Sequence, residues 1–250
     1  RRFRRPLMIP GEEVSLRIQN GTLAIHLGAI GTSRMLEPID AAEVVPTLQA
    51  NVDAIRQAGG IASINHPNLT WALDHEAISQ VRGAHLLEIY NGHPRDHVYG
   101  AGGRPGYEEI WDGVLTAGLP IWGVAVDDSH HFKGEFGPQR INPGRGWVMV
   151  KAERLDEDSL LNSLQAGDFY SSTGITLEKL DQGPEGISLT ICPDGDSRYT
   201  TRFAGRDGVT LEEVHGLVAS YRPRGGEGYF RAAIRSSTGV RAWTQPVFVR

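Results

Sequence analysis

The stretch PIWGVAVDDSHHF, Pro120 to Phe132, decides how this chain is read. An apolar run, Ile121 to Val126, reads as a buried strand and then stops in Asp127, Asp128, Ser129, His130 and His131. Such groups are expensive to bury. The ending is therefore either a solvated loop rich in ligands or a holder of something positively charged. Asp128 and His130 are two residues apart, so in an extended segment they project to the same side. A carboxylate and an imidazole converging there suit a divalent metal such as Zn²⁺, Mn²⁺ or Fe²⁺. A hydrogen-bonded Asp–His pair at a strand end, with no metal, reads equally well.

Two earlier segments end in the same way. IASI is a short apolar strand that breaks off in Asn65-His66-Pro67-Asn68, and AHLLEIYNG places Glu88 and Asn91 at the end of a second. Helical patterns precede and follow them. Val44, Val45, Leu48, Val52 and Ile55 recur at three- and four-residue steps between Asp40 and Ala58, and another helix is expected from Tyr107 to Ala117. After the strand GWVMVKA, Asp156 reads as the N-cap of a helix carrying Leu160, Leu161 and Leu164, stopped by Gly167. Alternating strands and helices predict βα units and a largely parallel sheet or barrel, with a site at the C-terminal strand ends.

Upstream, SLRIQNGTLAIHLGAI predicts a hairpin, with Asn20-Gly21 supplying the positive φ angles of a two-residue turn. Counting back from that turn sets His26 opposite Ser15 and puts Glu13 on the same face, a diagonal neighbour roughly 7–8 Å away. Ligand bonds of about 2 Å added to side-chain reach can close that gap around an ion. A surface hairpin with incidental polar residues is the competing reading. Beyond about Gly174 the texture changes to period-two alternation with frequent Gly, Asp and Pro. The expected division is a domain over 1–173 and a small β-rich domain over 174–250.

The apolar fraction of 40%, the charged fraction of 22% and the net charge of −5 describe an ordinary globular chain with no basic footprint for nucleic acid. The one basic cluster, RRFRR at 1–5, is a weak patch. No apolar run approaches the roughly 20 residues needed to span a bilayer. A signal-peptide pattern is also missing at the start, which predicts a cytoplasmic protein. A single cysteine, Cys192, excludes an internal disulfide framework and leaves His, Asp and Glu as metal ligands. There is no G-x-S-x-G elbow and no Walker loop.

Taken together and in order, IPGEEVS with His26, GGIASINHPN, LLEIYNG, GVAVDDSHHF and RGWVMVKA…LLNSLQAGDFYSSTG resemble the PHP (polymerase and histidinol phosphatase) superfamily, its CehA/McbA-like branch, over roughly residues 8–174. The resemblance implies an α/β fold: a distorted (β/α)7 barrel, N-terminally incomplete because the family's opening His-x-His segment is missing, with a β-rich appendage. It implies two or three divalent metal ions in the complete site, with fewer here a further expectation. Glu13, His26, His66, Asp128 and His130 would be ligands, with Asp128 and His130 also catalytic. Glu88 and Asn91 would be supporting or substrate contacts, and Arg145 a phosphate contact.

The expected activity is hydrolysis of a small-molecule phosphoester by a metal-activated water, with homo-oligomerisation to cover an open sheet edge. Two other readings stand beside it. One is a metal-dependent hydrolase of esters, amides or carbamates. The other is a non-catalytic binding or assembly protein that keeps a residual metal.

Overall fold

The computed structural model describes residues 6–249, so the basic cluster at 1–5 lies outside the described residues. The predicted hairpin forms as β1 (Gly11–Ile18) and β2 (Leu23–Ile30). Asn20 (φ 56°) and Gly21 (φ 83°) make the turn, and Ser15 pairs with His26. The helix α1 (Val44–Gln57) buries Leu48, Val52 and Ile55. It is followed by β3 (Ile61–Ile64), the short α2 (His75–Ser79) and β4 (Leu86–Asn91). Then come α3 (Tyr107–Thr116) and β5 (Trp122–Val126). These strands form one sheet in the order β1-β2-β3-β4-β5. Only β3–β4 and β4–β5 are parallel; β1–β2 and β2–β3 are antiparallel.

The faces of this sheet are set by alternation. Val14, Ile25, Leu27, Ala29, Ile64, Leu87 and Ile89 point into a core shared with α1, α2 and α3. The opposite face is apolar at one end, where Ile30, Ile61, Leu86 and Val124 pack with Leu164 and Phe169. Moving along the strands, the same face turns polar. Ile30 pairs with Ile61, Gly28 with Ser63, and the backbone N–H of Asn65 donates to the carbonyl of His26. Glu88 follows Leu86 by two residues on this face. This polar end is where the candidate site lies.

The next strands do not continue the sheet. β6 (Trp147–Val150) is followed by α4 (Glu157–Ala166), whose N-cap Asp156 accepts a hydrogen bond from the Ser159 N–H. After it, β7 (Phe169–Ser172) pairs antiparallel with β6. The remaining strands are β8 (Leu177–Gly183), β9 (Gly186–Ile191), β10 (Tyr199–Ala204), β11 (Thr210–His215), β12 (Val218–Tyr221), β13 (Tyr229–Ser236), β14 (Arg241–Thr244) and β15 (Val247–Phe248). A second sheet runs β11-β10-β13-β14-β7-β6, with β15 on β13; a third runs β12-β9-β8. The second and third sheets share a core that includes Ile187, Leu189, Phe203, Tyr221 and Phe230.

The expected (β/α)7 barrel is therefore corrected. Among the described residues the strands form three sheets and no closed barrel, and β7 pairs with β14 and carries β6 on its other side, rather than either extending the sheet from β5. The physical reason is visible at the free edge of β5. Ser171 Oγ donates to the Gly123 carbonyl (2.7 Å) and accepts from the Ala125 N–H (3.1 Å). The Gln245 side chain accepts from Gly123 N–H (2.8 Å) and donates to its carbonyl (2.9 Å). Both side chains are buried. They satisfy the edge as a further strand would, so the sheet ends there without exposing unpaired backbone.

Candidate metal-binding site

Three donors converge at the polar end of the first sheet. Glu13 extends from β1, His26 from β2, and His66 from the turn after β3. Glu13 Oε1 lies 3.0 Å from His66 Nε2 and 3.4 Å from His26 Nδ1. The two imidazole rings meet edge to face, with centroids 4.9 Å apart. All three ligand atoms fall within 4.8 Å of one another. Gly28 makes this approach possible: a Cβ there would sit 3.2 Å from Asn65 Oδ1 and 3.3 Å from Ser63 Cβ. With glycine in place, the Asn65 side chain accepts from Gly28 N–H (3.1 Å) and donates to Glu13 Oε1 (3.2 Å).

A supporting layer sits behind the triad. Glu88 is buried; its Oε2 accepts from the backbone N–H of His66 (2.7 Å) and from Asn91 Nδ2 (3.1 Å). Asn91 Nδ2 is also 3.4 Å from Asp128 Oδ2, and Asn91 Oδ1 accepts from His93 N–H (2.8 Å). Asp128 and His130 thus stand one layer away from the three converging donors. Asp128 has φ 50°, so the segment is not extended and the two side chains do not simply project together. His130 Nδ1 lies 2.7 Å from the Asp128 carbonyl and 3.8 Å from its carboxylate. The His130 ring meets that of His93 edge to face at 6.3 Å.

The neighbouring loop residues have other work. Asp127 accepts from the N–H groups of Gly144, Arg145 and Gly146, clamping the base of the loop that joins β5 to β6. The guanidinium of Arg145 donates to the carbonyls of Gly92, Gly137 and Arg140. The structure thus uses it to hold backbone. Two residues that sequence reasoning passed over also appear here. Asp96 accepts from Tyr107 OH on both carboxylate oxygens (2.7 and 2.6 Å). No local pattern marks that pair, because the glycine-rich segment 100–106 separates its members.

The electrostatics follow from burial and proximity. Burial opposes ionisation of Glu13, but His26, His66 and Asn65 beside it hold its carboxyl well below the usual carboxylate range. Burial likewise disfavours a charged His66, yet Glu13, Glu88 and Asp128 around it raise it to about 9. Glu88, enclosed by the fold, is pushed up to about 7 by burial. The donor set fits a divalent cation. Its atoms are two imidazole nitrogens, that of His66 giving up its proton on binding, and a carboxylate kept ionised; His26 Nδ1 is buried and has only the Glu13 carboxylate near it, at 3.4 Å. That mixture of nitrogen and oxygen suits Zn²⁺, Mn²⁺ or Fe²⁺.

A cavity of about 330 Å³ lies elsewhere, between α3 and the second sheet, lined by Tyr90, Tyr99, Glu108, Arg202, Arg241 and Trp243 among others.

No protein-family model matches the chain, and no curated protein does. Among solved structures there is a likeness to the crystal structure of endonuclease/exonuclease/phosphatase from Beutenbergia cavernae DSM 12333. It has 11% identity over 95% of this chain and 73% of that one, at a TM-score of 0.18. A superposition that loose carries no argument. The resemblance to the PHP superfamily is corrected with it: the barrel that family implies is replaced by open sheets, and no family model supports the match. Short motifs at strand ends recur wherever sheets present polar groups, which is why they misled. Among the described residues, no helix is long and apolar enough to cross a membrane.

Proposed function

We propose that the chain is a divalent-metal-dependent hydrolase acting on small phosphoesters. The observation that carries this reading is the convergence of Glu13, His26 and His66, whose ligand atoms lie within 4.8 Å of one another. These three residues would hold the ion. When bound, such an ion supplies Lewis acidity, easing ionisation of a water near neutral pH and stabilising negative charge on the reacting group.

The chain's own residues do the rest. Glu13, kept ionised, balances the cation's charge. Glu88 and Asn91 fix the His66 turn and orient the Asp128 carboxylate. In this reading Asp128, one layer behind the three donors, would take a proton from the attacking water, and the exposed His130 would donate one to the leaving group. His93 and His130 offer N–H groups to anionic oxygens of the substrate. We propose a cytoplasmic location for the protein.

The test is hydrolysis of 4-nitrophenyl phosphate and bis(4-nitrophenyl) phosphate by protein loaded with Zn²⁺, Mn²⁺ or Fe²⁺. Turnover that Glu13→Gln removes supports the reading. A loaded protein inert on both esters would sink it. One observation favours a second reading, a metal-holding protein without catalysis: among the described residues a single group of three donors converges. Stoichiometric metal with no turnover is its signature.

A further inference from the structure

Among the described residues seven non-glycine positions have positive φ. Three of them, Thr70 (54°), Trp71 (56°) and Asp128 (50°), lie on the loops that follow β3 and β5, beside the candidate site. This conformation is disfavoured for L-residues, and for a bulky or β-branched side chain it is a true outlier. Two such residues in succession persist only where the surroundings over-determine them, and sites are where this occurs.

The surroundings here are explicit. Leu69 N–H donates to the His66 carbonyl and Trp71 N–H to that of Asn68, both at 2.9 Å, so the chain folds back at once after His66. Thr70 Oγ1 accepts from Ala24 N–H (2.9 Å), tying the turn to β2 two residues from His26. Buried Asn68 donates to the carbonyls of His97 and Pro105, both at 2.9 Å. The Trp71 indole lies flat against the His97 imidazole, with centroids 4.7 Å apart and planes 13° from parallel. The backbone at His97 is itself held, because its main-chain N–H donates to Asp96 Oδ1 (2.9 Å) and Tyr107 fixes Asp96. Trp71 stays half-buried and His97 exposed. A turn that served packing alone would enclose the ring, and would favour Gly or Asn at the strained positions.

We propose that Trp71 and His97 form an aromatic platform beside His66 that takes a planar, π-bearing group of the substrate. Resting on the hydrolase reading above, this narrows the substrate class to esters with an aryl or heteroaryl moiety. A fixed, stacked pair offers a flat apolar surface that needs little ordering on binding.

The test is calorimetric titration of the Mn²⁺-loaded protein with phenylphosphonate and with methylphosphonate. The expected result is about tenfold tighter binding of the phenyl compound, within the range of ring stacking. Trp71→Ala should abolish that preference without weakening methylphosphonate, while Trp71→Phe keeps most of it and guards against misfolding as the cause. A preference that survives in Trp71→Ala, or its absence from the wild type, overturns the platform. Failure of the hydrolase reading shows separately, as loss of methylphosphonate binding by the wild type. In that event adenosine is titrated instead: binding that needs Trp71 keeps the platform, and equal or no binding overturns it.

Discussion

Two of the clusters of ionisable side chains among the described residues are finished differently. The first is Glu13, His26 and His66. The second joins α3 to the second sheet. There the fully buried Arg231 donates from Nε to Asp112 Oδ1 (2.8 Å) and from Nη2 to Asp112 Oδ2 (2.6 Å), and Nη2 also reaches Glu108 (3.0 Å). Tyr229 OH donates to the same Asp112 (2.7 Å), Arg202 pairs with Glu108 (2.8 Å), and the Arg231 guanidinium lies over Trp111 at 4.7 Å. There each carboxylate is paired with arginine, and Arg231 and Asp112 are enclosed, while Arg202 and Arg241, which also reaches Glu108 (3.5 Å), stand at the edge of the cavity beside α3; one guanidinium nitrogen of Arg231, Nη1, has no bond. In the first cluster one side is open, since Glu13 is more than a third exposed, and the buried His26 Nδ1 has only the Glu13 carboxylate near it, at 3.4 Å. Matched, enclosed charge holds a fold together. Converging donors with room beside them are built to receive something.

The largest expected effect breaks the enclosed cluster. Arg231→Ala leaves Asp112 buried without its partner and should cost about 3–5 kcal/mol, measured as a shift in the urea midpoint at unchanged slope. Metal affinity should stay as it was. The converse change is His66→Ala, which should weaken divalent-metal binding by at least about 100-fold, where Arg231→Ala leaves it unchanged. If both substitutions damage stability alike and neither touches metal binding, the contrast between the clusters is gone.

Acid titration sharpens the same contrast. Burial works against the Glu108 carboxylate, but Arg231 and Arg202 beside it lower its pKa from 4.5 to about 2 in the folded state. A group depressed on folding contributes stability that is fully present above about pH 4.5 and is lost as pH falls through about 2. Glu108→Gln should flatten the stability profile across that window, read from urea midpoints at successive pH values. An unchanged slope would mean that Glu108 is not paired in solution as it is here. The smallest effect concerns the sheet edge. Ser171→Ala strips one partner from the β5 backbone and should cost about 1–2 kcal/mol, with faster hydrogen exchange at Ala125 than at Leu87.

Local pattern carried some of this architecture and none of the rest. The turn at Asn20-Gly21 fixed the register that sets Ser15 against His26, because a two-residue turn leaves no freedom in counting. The C-terminal limits of α1, α3 and α4 were legible from apolar spacing and terminal glycines, and the start of α4 from its capping aspartate, whereas α1 begins at Val44 rather than at Asp40. Glu13, His26 and His66 could be proposed as partners because each sits at a strand end or on one hairpin face. Which strand β6 would join was not legible: an apolar run does not say which edge it will pair with, and Ser171 and Gln245 had already satisfied that of β5. The Asp128–His130 expectation assumed an extended chain, which the left-handed backbone at Asp128 removes. Arg145 and the Arg231 cluster depend on contacts between distant segments, such as Glu108 with Arg231, and spacing along the chain cannot foresee them.

The central claim is that Glu13, His26 and His66 hold a divalent cation, and equilibrium dialysis against Zn²⁺ or Mn²⁺ tests it most directly. The account predicts about one tightly held ion per chain in the wild type, lost when Glu13, His26 and His66 are replaced together by Ala, with the fold intact by circular dichroism. A folded triple variant that retains the wild-type ion content would contradict it.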